Sequence, residues 1–424
     1  MKYFFKKALL PDGWRENVRI EIADHRIVAV DADTDAAGSR VFDGVAVPGM
    51  TNVHSHAFQF GFAGLSECRT GTHDSFWTWR KRMYEFVDTI TPEKAHAIGK
   101  QLYARMLAVG YTTVGEFHYL LHQRDGTPYE NNNEMADALI AAAKEAGMRI
   151  CMLPVLYQRG GFDESPLAGG QLRFGSSNAL YLDMLSGLQS RYRDDPAVSL
   201  GVALHSLRAV SVAAAQQVLK DARSIVPDAP IHIHVAEQVK EVEDCVAVTG
   251  KRPVELLLDS FEVDEKWCLI HATHMSDREC QRLAGTGAVS GVCPTTEANL
   301  GDGVFRAEDW LKLEGKLAIG SDSHVSVDVA EELRILEYAQ RLTQQRRAVL
   351  CTDTQSCGSL LYQWSCAGGA QVTGFGDGGL SVGNLASISV MDERFEDVEF
   401  NFDGSIFHPN ATRASISGIG ISAV

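Results

Sequence analysis

Gly44-Val-Ala-Val-Pro-Gly-Met50, followed at once by Thr51-Asn-Val-His-Ser-His56, is the stretch on which the reading of this chain turns. The apolar run reads as a short buried strand, and the two histidines stand at its C-terminal end. Side chains alternate along a strand, so His54 and His56 face the same way and can share one metal ion. A His-x-His pair on its own is a weak motif. Its meaning depends on whether other strands end in groups of the same kind.

They do. From residue 48 onward, strand-like runs alternate with helical patterns. The runs are Thr112–Glu116, Arg149–Leu153, Ser199–Ala203, Ile231–His234, Cys268–His271, Ala288–Val292 and Leu317–Gly320. The helical patterns cover Thr91–Val109, Asn132–Ala146, Asn178–Tyr192, Val212–Ile225, Pro253–Phe261, Asp277–Gly285 and Val329–Leu342. With Val45–Pro48 counted first, there are eight candidate strands. Repeated strand-then-helix units predict a parallel sheet covered by helices, and eight of them predict a closed (β/α)₈ TIM-like barrel of the α/β class. Residues 1–47 and 375–424 have β texture instead. They are expected to pair into a small β-sandwich domain built from both chain ends, leaving 48–374 as the barrel.

The bulk properties narrow the function. The chain has 424 residues, 45% of them apolar, enough for a large core and an accessory domain. A net charge of −16 with no basic run argues against nucleic acid and anionic membranes. No uncharged apolar stretch reaches membrane-spanning length. Nine cysteines, an odd number with no Cys-x-x-Cys pair, fit a reducing cytoplasm better than a disulfide framework.

In barrels of this kind the active site lies at the C-terminal ends of the strands. Read there, the chain offers His54 and His56, then His232-Ile-His234-Val-Ala-Glu237, then His271 with His274, then Ser321-Asp322-Ser-His324. Three imidazoles and a carboxylate can hold a zinc-type ion with an open position. Such an ion makes hydroxide available near neutral pH. Asp322, His271 and Glu237 are the groups available for proton transfer.

This pattern resembles the amidohydrolase superfamily in its mononuclear, deaminase-like branch. No lysine occurs in Thr112–Tyr119 or Arg149–Val155, which disfavours the carbamylated-lysine, two-metal form. Longer stretches narrow the resemblance. They are His54-Ser-His-Ala-Phe-Gln59, Asp74-Ser-Phe-Trp-Thr-Trp-Arg80, Gly115-Glu-Phe-His-Tyr119, His205-Ser-Leu-Arg208, His234-Val-Ala-Glu-Gln238, His271-Ala-Thr-His274 and Pro294–Asp302. Together they resemble the formimidoylglutamate deiminases, which hydrolyse N-formimino-L-glutamate in histidine degradation.

The resemblance implies roles. His54, His56, His234 and Asp322 would hold one divalent metal ion, zinc ahead of Fe²⁺. His271, Glu237 and Asp322 would handle water and the imine proton. Gln59, Arg80, Tyr119, His205 and Arg208 would hold a small dicarboxylate imine substrate. It also implies a homodimer in which Arg80 reaches a neighbouring subunit's site. The chemistry agrees on one point, since two carboxylates call for planar, bidentate arginines, and Arg80 and Arg208 sit where βα loops build the pocket. Phe76, Trp77 and Trp79 read as the packing of a lid loop. His232 reads as packing or support, and His118, His274 and His324 stay ambiguous. Glu116, Thr273 and Ser323 are candidate second partners for the ligand imidazoles.

The main alternative is another deaminase of the same branch, acting on a heterocycle such as guanine or a thioadenosine. Stacking aromatics and amides would then replace the arginine pair. A third possibility is cleavage of the same substrate to formamide and glutamate. A scaffold without catalysis predicts lost ligand positions, and none of the expected positions is lost.

Overall fold

The structure is a computed structural model that describes residues 1–68, 75–376 and 378–391, with the backbone of 412–416 and 421–423. Asp74 and parts of the 375–424 segment read above lie outside the described residues. The chain opens with β1 (Lys2–Leu10), β2 (Gly13–Ala23), β3 (Arg26–Asp31) and β4 (Arg40–Pro48). β5 (Met50–Ser55), β6 (Tyr111–His118), β7 (Arg149–Leu156), β8 (Val198–Leu200), β9 (Val202–Ser206), β10 (Ile231–Val235), β11 (Trp267–His271), β12 (Val289–Val292) and β13 (Lys316–Ile319) follow. Near the C-terminus come β14 (Ile388–Met391), β15 (Thr412–Ile416) and β16 (Ile421–Ala423).

β5, β6, β7, β9, β10, β11, β12 and β13 pair in parallel, and β5 meets both β6 and β13, so the sheet closes into an eight-stranded barrel. Helices follow most strands, including Asn178–Tyr192 with the bounds its periodicity predicts. Strands covered on both faces read as continuous apolar runs rather than alternating ones, which is why β6 and β7 are buried at every residue. The fourth strand is broken into β8 and β9 at Gly201. A Cβ there would lie 2.3 Å from Leu153 Cδ2, so glycine lets this break sit against β7 without displacing that side chain.

The remaining strands form one mixed sheet in the order β16-β15-β14-β4-β1-β2-β3, joining the two chain ends. β14 runs antiparallel to β4, with Ile388 opposite Pro48. Tyr3, Phe5, Val18, Ile20, Ile388 and Val390 share its apolar cluster.

One expectation is corrected. Val45–Pro48 is not the first barrel strand. It belongs to β4 of the small sheet, and the barrel strand is Met50–Ser55. The chain passes from one sheet to the other at Gly49, where a Cβ would lie 2.4 Å from the Thr112 side chain. The end of β4 and all of β5 are buried, so the join lies inside a single apolar run, Val45–Met50, with no polar break. A second correction concerns Cys357–Gln371, a helix that went unread. Its Gly368 and Gly369 look like turn residues, but a Cβ on Gly368 would sit 2.0 Å from the Leu317 carbonyl oxygen. They are small because the helix lies flat on β13 and β5.

Candidate active site

The C-terminal strand ends bring the predicted ligands together. His54 Nε2 lies 2.9 Å from His234 Nε2 and 3.4 Å from Asp322 Oδ1, and His56 Nε2 lies 3.3 Å from the same oxygen. The His56 Nδ1–H donates to the Phe117 carbonyl at 2.9 Å, and His234 Nδ1–H to the His205 carbonyl at 2.9 Å. Those bonds fix the tautomers and leave both Nε2 lone pairs bare. Burial lowers the pKa of all three imidazoles; Asp322 partly offsets this at His56. Three neutral imidazoles and one carboxylate converging on one point form a donor set that fits a divalent cation of the zinc type. The outer partners of His56 and His234 are backbone carbonyls, not the expected Glu116, Thr273 and Ser323, and His54 Nδ1 has none among the described residues. Glu116 instead accepts from Ser55 Oγ, the Ala57 N–H and Tyr103 Oη, bracing the strand that carries the pair. Thr273 Oγ1 has no partner among the described residues, and Ser323 Oγ bonds Thr296.

Backbone strain gathers at the same rim. Ala236, His271, Ala272, Asp322 and His324 all have φ between 45° and 71°. Non-glycine residues rarely adopt that conformation, and packing that enforces it at the ligand-bearing ends is typical of functional sites. His324 bridges Ser55 Oγ and Ser321 Oγ, His232 Nε2 donates to the Val372 carbonyl, and His274 Nε2 donates to the Asp302 carbonyl. All three histidines are therefore supports.

Beside the histidine–aspartate cluster stand two further titratable groups, His271 and Glu237. His271 Nε2 lies 3.8 Å from Glu237 Oε1 and 3.9 Å from Asp322 Oδ2. Its Nδ1 lies 3.1 Å from Glu297 Oε1, an oxygen that also accepts the Cys293 N–H. Burial would lower the His271 pKa, but Glu237, Glu297 and Asp322 outweigh it and raise it to about 10. Burial drives the Glu237 carboxyl up to about 7, against the pull of His271.

A pocket of about 550 Å³, its open mouth included, connects this centre to the predicted substrate residues. Gln59, Arg80, Tyr119, His205 and Arg208 all line it, as do His56, His234, Glu237, His271 and Asp322; His54 lies beneath. Gln59 Nε2 donates to Tyr119 Oη at 2.8 Å. Arg80 lines the pocket of its own chain. It sits on a helix, Phe76–Val87, where a lid loop was expected. The tryptophan reading is corrected too: the Trp77 ring carries the Arg80 guanidinium at 4.7 Å and that of Arg208 at 5.8 Å, a cation–π platform for both. Arg208 is buried, and its Nε has no partner among the described residues. Tyr84, Tyr157 and Phe174 complete the wall. Nothing in their spacing marked them, since they come from separate loops and a helix.

Among the described residues no helix is long and apolar enough to cross a membrane.

The family model described as the amidohydrolase family matches residues 45–417, and that for the N-terminal domain of formimidoylglutamate deiminase HutF matches residues 3–40. A formimidoylglutamate deiminase from Pseudomonas aeruginosa is 46% identical over 92% of this chain and 85% of its own. A 5-methylthioadenosine/S-adenosylhomocysteine deaminase from Natronomonas pharaonis is 25% identical over 84% of this chain and 76% of its own. The crystal structure of an amidohydrolase from Brucella melitensis superposes with a TM-score of 0.94 at 45% identity, covering 99% of this chain and 94% of that one.

Proposed function

We propose, for a chain that belongs to the amidohydrolase family and within it to the formimidoylglutamate deiminases, that it hydrolyses N-formimino-L-glutamate to N-formyl-L-glutamate and ammonia, a step of histidine degradation. One observation carries the reading beyond the family. A single pocket holds the histidine–aspartate cluster, the Glu237–His271 pair and Arg208, a buried guanidinium with an unpartnered Nε. A neutral heterocycle leaves that guanidinium without an acceptor, whereas a carboxylate satisfies it.

His54, His56, His234 and Asp322 would hold one divalent ion, zinc by donor type with iron(II) as the alternative. Such an ion lowers the pKa of a water and so supplies a nucleophile near neutral pH. The chain's own residues do the rest. Arg80 and Arg208, set on Trp77, take the substrate carboxylates and hold the formimino carbon at the ligand end. Asp322 draws a proton from the attacking water, and His271, held cationic by Glu237, Glu297 and Asp322, donates to the attacking oxygen. Glu237, in its protonated form, gives a proton to the imine nitrogen. A carbon–oxygen bond forms, the carbon–nitrogen bond breaks, and both hydrogens of the water end on the departing ammonia. A cytoplasmic homodimer belongs to the same reading, supported by the resemblance and by the scattered, odd-numbered cysteines.

The test is turnover of N-formimino-L-glutamate with product identification, before and after treatment with a chelator and metal restoration. Ammonia and N-formyl-L-glutamate, lost on chelation and restored by Zn²⁺, are expected. Formamide and free glutamate would replace the reading with cleavage on the other side of the one-carbon unit.

A further inference from the structure

The pocket wall beside the two arginines contains groups that neither the metal centre nor the arginines account for. Tyr84 lies under Arg80, whose guanidinium is 5.5 Å from its ring, and Tyr157 packs edge-on against His205. Behind both stands Gln171, buried in the short turn Gly169–Arg173. Gln171 Nε2 donates to Tyr157 Oη at 3.1 Å. Tyr84 packs against the same short turn and lines the pocket beside Tyr157. Gln171 Oε1 accepts the Ala168 N–H at 3.3 Å, which fixes the sense of the amide: oxygen toward the backbone, nitrogen toward Tyr157.

That orientation has a chemical result. A phenol whose oxygen accepts from an amide keeps its own O–H for another partner. Among the described residues neither Tyr84 nor Tyr157 donates to an acceptor, and Arg208 Nε has none either. Two phenol hydroxyls and the Arg208 Nε, with the Arg80 guanidinium beside them, make a site that lacks only an anion.

The turn is also tied to the helix that carries Arg80 and Tyr84. A Cβ on Gly170 would lie 2.9 Å from Tyr84 Cβ, so glycine permits the approach. Arg173 donates to the Val87 and Ile90 carbonyls at the end of that helix.

We propose that Gln171 is a positioning residue for carboxylate recognition: by donating to Tyr157 it turns that hydroxyl into a donor which, with the Tyr84 hydroxyl beside it, meets the carboxylate that Arg208 takes. The pocket thereby selects a second carboxylate over an apolar end. The inference rests on the dicarboxylate reading above and deepens it.

The experiment measures ammonia release from N-formimino-L-glutamate by the wild-type holoenzyme and by Gln171→Leu, Gln171→Glu, Tyr84→Phe and Tyr157→Phe. Competition by N-formyl-L-glutamate is compared with that by N-formyl-L-norvaline and N-formyl-4-aminobutyrate, each lacking one carboxylate. Hydrogen bonds to a charged group are strong enough that KM should rise about 10-fold or more in each variant, with kcat changed far less. Preference for the dicarboxylate over one of the two analogues should fall by the same factor. Gln171→Glu should exceed Gln171→Leu, because an isosteric carboxylate accepts from Tyr157 and turns its proton out of the pocket. A merely structural glutamine would not produce that order. Unchanged KM and unchanged preference in the two Tyr→Phe variants, which remove only the hydroxyls, would overturn the proposal. So would a loss confined to kcat. A wild type that releases no ammonia overturns the deiminase reading alone; affinities for the three competitors are then read by calorimetry, and variants with wild-type preference overturn this inference.

Discussion

The two ends of the pocket are built differently. The ligand end comes from strand termini: His54 and His56 close β5, His234 lies on β10, His271 closes β11, and Asp322 follows β13. The barrel fixes these positions to within a hydrogen bond, and left-handed backbone at Ala236, His271, Ala272 and Asp322 aims the side chains. The arginine end comes from the helix Phe76–Val87 and from loops holding Tyr157, Gln171 and Arg208. Its order derives from contacts between those segments, such as the Trp77 platform and the Arg173 bonds. The difference separates two tasks. In the proposed reaction, the groups assigned to the reacting bond sit on the rigid scaffold, and those assigned to the substrate's carboxylates sit on parts that can vary without disturbing it.

Substitutions at the two ends should therefore give opposite kinetic signatures. The largest effect belongs to Glu237→Gln. The amide keeps the shape but cannot give up a proton in the same way, so kcat should fall about 10²- to 10⁴-fold. Metal content, measured by mass spectrometry, should stay at wild-type level, because Glu237 is not among the converging ligand atoms. Near-normal turnover would remove Glu237 from proton transfer and erase the contrast. At the other end, Arg208→Met deletes the buried guanidinium while keeping most of its length. KM should rise about 10²-fold with kcat reduced much less, since a charged, bidentate partner is lost in binding. If kcat fell instead and KM held, the arginine end would be acting on the chemistry and the division would fail.

The same division explains what the sequence could reveal. Strand-end residues are legible because a strand converts spacing into direction: His54 and His56 share a face by period two, and Glu237 follows His234 by a fixed step. Seven of the eight barrel strands are where their apolar runs put them, for the same reason. The first was misplaced because the end of β4 and all of β5 are buried and Gly49 hides the join. Arg80 and Arg208 were found through resemblance, not geometry. Trp77 reads as packing, because no local pattern shows that two guanidiniums 128 positions apart in the chain meet over one ring. Tyr84, Tyr157 and Gln171 carried no signal at all. Their relation exists only where a helix, a strand end and a turn come together.

The supports beneath the two ends differ in one further respect, and it gives the smallest expected effect. The ligand strand rests on Glu116, a buried carboxyl that burial pushes up to about 7 despite bonds from Ala57, Ser55 and Tyr103. The helix rests on Arg173, whose pKa burial lowers but which remains a cation across the neutral range. As pH rises past the ordinary carboxyl value of 4.5, the unfolded chain releases the Glu116 proton before the folded one does. Stability should therefore fall between pH 4.5 and 7 by about 3 kcal/mol from this group, then level off. Glu116→Gln removes the titration and can keep the bond from Ala57. Urea unfolding of wild type and variant at several pH values should show their difference shifting in the variant's favour across that window. Arg173→Met should destabilise by the same amount throughout it. Parallel curves for Glu116→Gln would mean that the ligand strand is braced by an already ionised carboxylate, and that pH does not distinguish the two ends.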